Sequence, residues 1–427
     1  MSAAQTPHKL TADHLPNRMR TFIGAASTLI VCFTASSAPI PLMSVYREML
    51  ALSNADVANS IVAYFLGCIL TLVFFARLSN YFGRKPVVIT TLLLAMTASF
   101  TFVVMDNVWA FNLGRFLQGL SCGLASSAAM AWVVDTAPPE KRWLGTALTA
   151  AGPNVGLCLG TLLTGVCIEN NLFDPASLFM LFMGLIACVL VLVTTGTESV
   201  QFGMEPLIAT LIPKIAVPRR LWRLFVIASA AYIGTWGMGS FFQGFIAIIS
   251  AETFGIQSTL IAALCYLILM VPNAATGLVI GRFYAVNALC LVITAFAIAG
   301  SLTFVAYGYH MPVLFLITVA ICGGGNGGSC TSALKLFLQD TTLKERLLEW
   351  IKGDNVDYQE FFTRIFDVFF KEIKEFLPAF ICITAIALTC GIMSAVSFGV
   401  MDQSLKRLIS LIAFISALIP LLNMLQE

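Results

Sequence analysis

Charge is what this chain has little of. Only 11% of its 427 residues are Asp, Glu, Lys or Arg, whereas 59% are hydrophobic and the mean hydropathy is +0.90. Because soluble domains carry roughly a quarter charged residues, too few polar side chains exist to cover a water-exposed globule of this size. The formal net charge of +2 provides no basic surface for nucleic acid. A polytopic membrane protein is the class that remains.

Clustered metal-binding and disulfide-forming residues are also lacking. The 12 cysteines form no CxxC pair and nearly all lie in apolar runs, whereas zinc sites and disulfide frameworks need close, regular spacings. The three histidines, His8, His14 and His310, fall in the N-terminal tail and in one short loop. No group of residues supports catalysis. The sequence therefore predicts no metal, no cofactor and no enzymatic activity.

Long apolar runs, by contrast, are frequent. A helix needs about 20 apolar residues to cross the hydrocarbon layer, and twelve runs approach or exceed that length. The first six lie at 21–46, 59–79, 86–105, 107–134, 143–168 and 175–195. The second six lie at 222–250, 256–281, 284–307, 311–334, 376–400 and 407–424. The pattern predicts an all-α membrane protein with 12 transmembrane helices in two six-helix halves.

The polar segments between these runs define the predicted domains. A cytoplasmic tail at 1–20 precedes the first half at 21–195, and a cytoplasmic linker at 196–221 leads to the second half at 222–427. Of the 24 Lys and Arg residues, 20 fall on the side of the N-terminus. Since basic residues accumulate on the cytoplasmic side, both termini are expected there, in the inner (plasma) membrane of a bacterium.

The two halves share a local repeat. Gly123 stands twelve residues before Asp135-Thr136, and Gly328 stands twelve residues before Asp340-Thr341. A charged cluster follows each pair. Repeated six-helix halves are typical of transporters whose substrate site lies near the membrane midplane.

The loop after the second span carries a recognisable motif. Residues 76–85 resemble the G-x-L-a-D-r-x-G-r-k loop of the major facilitator superfamily, with Gly83, Arg84 and Lys85 in the matching places. Asn80 stands where the family has its acid. The resemblance implies a cytoplasmic latch between the halves, and the uncharged Asn80 predicts a weaker or differently built one. A plain turn with membrane-anchoring charges is the alternative.

An arginine inside the fourth span is the second notable feature. Arg115 costs several kcal/mol there unless it is paired or hydrated, which favours a functional role. The run 113–119 resembles a second motif of the family, whose arginine is linked to proton or substrate handling. An arginine that binds backbone carbonyls and holds helices together is the alternative. Three acids near span ends complete the candidates for proton coupling, although each could be a boundary charge: Glu48, Asp56 and Asp135.

The fifth span contains a glycine–proline segment. Gly152 and Gly156 allow close approach of a neighbouring helix, and Pro153 removes a backbone donor and bends the helix. The segment resembles the family's antiporter motif, which implies export. Ordinary packing of small residues is the alternative.

Polar and aromatic residues within other spans are candidates for a substrate cavity. They are Tyr46, Tyr64, Gln118, Asn154, Trp236, Gln243, Tyr266, Asn273 and Asn326. The 33 phenylalanines favour an aromatic or amphiphilic cargo.

Residues 342–375 depart from the family pattern, since six basic and eight acidic residues replace an apolar run. Their spacing predicts an amphipathic cytoplasmic helix that docks on the helical bundle or binds a protein partner.

These patterns together predict a secondary transporter of the major facilitator fold, which exports a small, partly apolar solute against proton entry by alternating access. Its partners are then the solute, protons and membrane lipid. A proton-coupled importer of a metabolite and a non-transporting sensor or scaffold are the two alternatives.

Overall fold

The computed structural model describes residues 18–200, 222–280, 283 and 285–339. Its elements there are helices, as the sequence predicts, and ten of them are long and apolar enough to cross a membrane. The last two predicted spans, 376–400 and 407–424, and the amphipathic segment 342–375 lie outside the described residues.

The elements of the first half are numbered here in chain order. They are α1 (Arg18–Ser37), α2 (Met43–Met49), α3 (Asn54–Leu70), α4 (Leu78–Tyr81), α5 (Arg84–Val104), α6 (Val108–Leu124), α7 (Met130–Thr136), α8 (Arg142–Glu169) and α9 (Pro175–Thr194). One turn of π-helix, Thr71–Phe75, follows α3, and another, Ala125–Ala129, joins α6 to α7. A 3₁₀ turn, Pro139–Lys141, precedes α8.

Four further long helices are described. They are α10 (Trp222–Ile248), α11 (Thr259–Ile280), α12 (Ala285–Gly308) and α13 (Pro312–Gln339). A π-helical turn, Ile249–Thr253, extends α10.

One predicted span is divided in two. The apolar run 21–46 is not a single helix, because α1 ends at Ser37 and α2 begins at Met43. Pro39 and Pro41 lie in the intervening turn. Proline has no backbone N–H to donate and clashes with the preceding turn of a helix, so the run cannot continue through them.

Three helices of the first half, α3, α6 and α9, begin at side-chain caps. Ser53 and Asp56 form a reciprocal capping box at the start of α3, and the Asn107 side chain accepts the N–H of Ala110 at the start of α6. Asp174 accepts the hydroxyl of Ser177 and two backbone N–H groups of α9, and these hydrogen bonds lower the pKa of its carboxyl. Such caps satisfy N–H groups that have no partner within the helix.

The described residues divide into two compact units. The first takes in those of Met1–Pro213, together with Gly244–Ala251 and Ile256–Leu264. The second takes in those of Lys214–Gln243, Glu252–Gly255 and Cys265–Glu427.

Glycines set the close helix contacts within the first unit. A Cβ atom on Gly160 of α8 would lie 1.9 Å from the carbonyl oxygen of Thr34 on α1. A Cβ on Gly119 of α6 would lie 1.9 Å from the carbonyl oxygen of Tyr64 on α3. Only glycine allows the backbones of membrane helices to approach this closely.

The second unit uses the same device. A Cβ atom on Gly323 of α13 would lie 2.0 Å from the carbonyl oxygen of Leu269, and one on Gly327 would lie 1.8 Å from that of Asn273. Both acceptors belong to α11. Glycines four residues apart on α13 therefore seat this helix on α11, as Gly119 and Gly123 seat α6 on α3.

Candidate functional site

A buried arginine marks the interior of the first unit. Arg115 on α6 is 1% exposed, and its Nη1 atom donates to the carbonyl oxygen of Ser36 at 3.0 Å and to Oε1 of Gln118 at 2.8 Å. Nε2 of Gln118 donates in turn to the carbonyl oxygen of Ala35 at 3.0 Å. The Arg115 guanidinium also lies over the ring of Tyr64, 4.7 Å from its centre, which is a cation–π geometry.

These contacts follow from the early end of α1. The last four carbonyls of a helix have no partner inside it and carry partial negative charge. Here Ser37 Oγ donates to Thr34, Gln118 to Ala35, Arg115 to Ser36, and the backbone N–H of Ile40 to Ser37. The four terminal carbonyls of α1 are thus satisfied, two of them by α6. Arg115 therefore makes the helix-holding contacts of the alternative interpretation.

The position of Arg115 also limits its partners. It is the eighth residue of the helical stretch Val108–Thr136, so it lies about 10 Å from the start of that stretch. Asp135 lies near the other end, about 30 Å further along the helix. The structure does not bring these two candidates for proton coupling together.

Asp135 instead pairs with the loop motif. Nε of Arg84 lies 3.2 Å from Oδ2 of Asp135, and the two side chains are only 11% and 7% exposed. Nη1 of Arg84 donates to the hydroxyl of Ser79 at 2.6 Å. An acid from the end of α7 thus supplies a negative charge beside the motif. Asn80, where the family has its acid, is half-buried and donates its backbone N–H to Arg77.

A second acid, Glu198, was missed by sequence reasoning. Its two carboxylate oxygens accept the backbone N–H groups of Arg84 at 2.8 Å and Lys85 at 2.9 Å, at the start of α5. A carboxylate stabilises the positive end of a helix dipole there. Glu198 follows the sixth span as a single boundary acid, and the sequence carries no signal that ties it to residues more than 110 positions earlier.

Gly83 and Lys85 complete a group of residues around the motif loop, the motif-loop cluster, which we define as Ser79, Gly83, Arg84, Lys85, Asp135 and Glu198. Gly83 has a φ of +93°, and a Cβ atom there would lie 2.5 Å from Oε2 of Glu198. Nζ of Lys85 donates to the carbonyl oxygens of Thr194 at 2.7 Å and Gly196 at 2.8 Å, where α9 ends. The cluster fixes the motif loop to α7 and α9.

The glycine–proline segment packs α8 on α1. A Cβ atom on Gly152 would lie 2.9 Å from Cδ2 of Leu29, and one on Gly156 would lie 2.6 Å from the carbonyl oxygen of Ile30. Pro153 lies within α8, and Asn154 beside it is half-buried.

Three other candidates have evident structural surroundings. Glu48 is exposed, and Asp56 belongs to the capping box of α3, where it accepts the hydroxyl of Ser53 at 2.6 Å. Tyr46 is fully buried among aromatic rings, with ring centres 5.6 Å from that of Phe111 and 6.2 Å from that of Phe102. The structure places Tyr46 in the core of the first unit.

The remaining cavity candidates lie in the second unit. Trp236 and Gln243 are on α10, Tyr266 and Asn273 are on α11, and Asn326 is on α13. Trp236 is half-buried and the other four are buried. Within the described ranges, no three His, Cys, Asp or Glu side chains stand close enough together to hold a metal ion.

Comparisons with known proteins relate the chain to one large family. Residues 25–346 match the sequence profile of the Major Facilitator Superfamily. The quinolone resistance protein NorA of Staphylococcus aureus is 24% identical over 216 residues, which are 50% of this chain and 54% of NorA. Multidrug resistance protein 2 of Bacillus subtilis is 26% identical over 145 residues, which are 34% of this chain and 36% of that protein. The chain thus spans about half the length, or less, of these relatives.

Solved structures share the fold. The nucleoside transporter NupG superimposes with a TM-score of 0.63 at 12% identity, covering 94% of this chain and 99% of NupG. A bacterial homologue of the human lysosomal transporter Spinster superimposes with a TM-score of 0.59 at 13% identity, covering 95% of this chain and 97% of its own.

Proposed function

Because the chain belongs to the major facilitator superfamily, we propose that it is a secondary transporter that exports a small, partly apolar solute in exchange for protons. The match of the family profile over residues 25–346 carries the proposal of transport. Export is favoured by the glycine–proline segment of α8 and by the partial similarity to two proteins named for drug resistance.

The motif-loop cluster supports a structural role for the loop within the first unit. It joins the motif loop to α7 through the Arg84–Asp135 pair and to α9 through Glu198 and Lys85. A loop held at both ends can move with its half as one body during alternating access. Asp135 takes the place of the family's acid in this proposal, since Asn80 carries no charge.

The surroundings of the candidate acids favour one of them as the site of proton coupling. Glu48 is exposed and Asp56 caps a helix, whereas Asp135 is nearly buried in an ion pair. Protonation of Asp135 would remove one charge of that pair and weaken the hold on Arg84. We therefore propose that proton exchange occurs at Asp135. Arg115 keeps its charge and holds α1 to α6.

Reconstituted liposomes with an imposed pH gradient test the proposal. Ethidium, tetraphenylphosphonium and norfloxacin are added in turn, and the collapse of the gradient is followed with a pH-sensitive dye against protein-free liposomes. Collapse that depends on a compound supports an exporter that exchanges it for protons. Uptake that requires the opposite gradient polarity supports the importing alternative, and no flux with any compound contradicts the proposal.

A further inference from the structure

The second unit contains a polar face between α10 and α13. Trp236, Gly239 and Gln243 follow one another at spacings of three and four residues, so they lie on one face of α10. A Cβ atom on Gly239 would lie 3.3 Å from Nδ2 of Asn326 on α13. One turn away, the hydroxyls of Thr235 and Ser329 are 2.9 Å apart. Asn326 therefore faces the stretch of α10 that carries Trp236 and Gln243.

Asn326 has a buried hydrogen-bonding atom that the described protein does not use. The residue is 2% exposed, and among the described residues its Oδ1 atom has no hydrogen-bond partner. A buried polar atom without a partner costs about 1–3 kcal/mol. Polar residues in membrane helices usually bond across to a neighbouring helix, but this oxygen does not. A ligand that donates a hydrogen bond would supply the missing partner.

The surroundings set the chemistry of such a ligand. The stretches 231–243, 265–280, 288–308 and 312–333 of this unit contain no Asp, Glu, Lys or Arg. A charged group placed among them would lose its hydration without gaining a counter-charge. The Trp236 ring centre lies 5.5 Å from that of Tyr232, and Trp236 offers a flat aromatic surface about one helical turn from Gly239. The complement is a neutral, planar group with an N–H donor.

We propose that Trp236, Gln243 and Asn326 form a subsite for an uncharged heteroaromatic or cyclic amide N–H group of the cargo. This inference rests on the proposed transport function and narrows its substrate class. Asn326 Oδ1 accepts the N–H of the ligand, Trp236 packs against its ring, and Gln243 hydrogen-bonds to its edge.

Equilibrium binding to the purified full chain in detergent tests the subsite with a matched pair of probes. Acridone is neutral, planar and fluorescent and carries one ring N–H, which N-methylacridone lacks. We expect acridone to bind about tenfold more tightly, as measured by fluorescence anisotropy, because only acridone can donate to Asn326. Asn326→Leu should weaken acridone binding to the level of N-methylacridone. Thr303→Val, which removes a buried hydroxyl bonded within its own helix α12, should leave the preference unchanged.

A second pair of variants tests the place of the subsite without removing the amide. Gly239→Ala puts a methyl group 3.3 Å from the Asn326 amide, whereas a Cβ on Gly237 meets nothing within 4 Å. We expect Gly239→Ala to weaken the binding of acridone at least several-fold and Gly237→Ala to leave it unchanged.

The outcomes separate the subsite from transport itself. Absence of saturable acridone binding, equal binding of the two probes, or a preference that survives Asn326→Leu would each overturn the subsite. Discriminating binding without any flux in the liposome experiment would retain the subsite and remove the transport function. Flux in liposomes together with equal binding of acridone and N-methylacridone would retain the transport function and overturn the subsite.

Discussion

Arg115 and Gln118 offer a way to separate charge from helix anchoring, because each donates one hydrogen bond to the end of α1. Removing either donor leaves a buried carbonyl unsatisfied, at a cost of about 1–3 kcal/mol. We expect Arg115→Ala and Gln118→Ala to lower the melting temperature in detergent by similar amounts. Because both residues hold α1 to α6, both variants should also lower coupled flux in liposomes by similar amounts. Loss of flux in Arg115→Ala alone would show that its charge also acts in coupling.

Gly83 is required for two separate reasons, and a second glycine separates them. Its φ of +93° disfavours any side chain, and a Cβ would also meet the Glu198 carboxylate at 2.5 Å. Gly255 has a φ of +70° and nothing within 4 Å of such a Cβ. Gly255→Ala should therefore lose only the backbone term of about 1–3 kcal/mol. We expect Gly83→Ala to lower the melting temperature further than Gly255→Ala does. Equal losses in the two variants would show that the contact with Glu198 adds no cost at Gly83.

At the scale of helices, the contact between α1 and α8 depends on glycine. A Cβ on Gly160 would lie 1.9 Å from a backbone oxygen of α1, which cannot yield as a flexible side chain can, whereas a Cβ on Gly184 of α9 meets nothing. We expect Gly160→Ala to separate the helices and lower both the melting temperature and the flux. Gly184→Ala should be neutral or stabilising, because alanine favours helix by about 0.5–1 kcal/mol over glycine. Wild-type stability of Gly160→Ala would show that α1 can move aside.

The long helices could be predicted from the sequence, whereas the contacts at the candidate site could not. Hydrophobic run length predicts the long helices, since crossing the membrane imposes one length on them. The division of the first run at Pro39 and Pro41 was predictable from proline chemistry, but the run was interpreted as continuous. The partners of Arg115 were not predictable, since they depend on which carbonyls this break exposes. The contact of Glu198 with the start of α5 could not be predicted, because a single acid beside a span gives no sign of a distant helix end.

For the molecule as a whole, transport should depend on a negative charge that pairs with Arg84 of the motif loop. Arg84 bonds to Asp135 and to Ser79, and Ser79 directly precedes Asn80 in the motif loop. If the negative charge has moved from position 80 to position 135, the two positions should be exchangeable. We therefore expect Asp135→Asn to reduce compound-dependent proton flux about tenfold, and the double variant Asn80→Asp, Asp135→Asn to recover much of it.

Two controls make this rescue specific. Asp106→Asn removes an exposed acid between α5 and α6 and should leave flux unchanged. Asn80→Asp alone adds a second acid to the motif loop, which should strengthen the latch and slow exchange without abolishing it. Melting temperatures of all four variants show whether a loss of flux is merely a loss of fold, since breaking a buried ion pair destabilises by about 3–5 kcal/mol. A double variant that is as stable as the wild type yet as inactive as Asp135→Asn would mean that the carboxyl itself, and its proton, must stand at position 135.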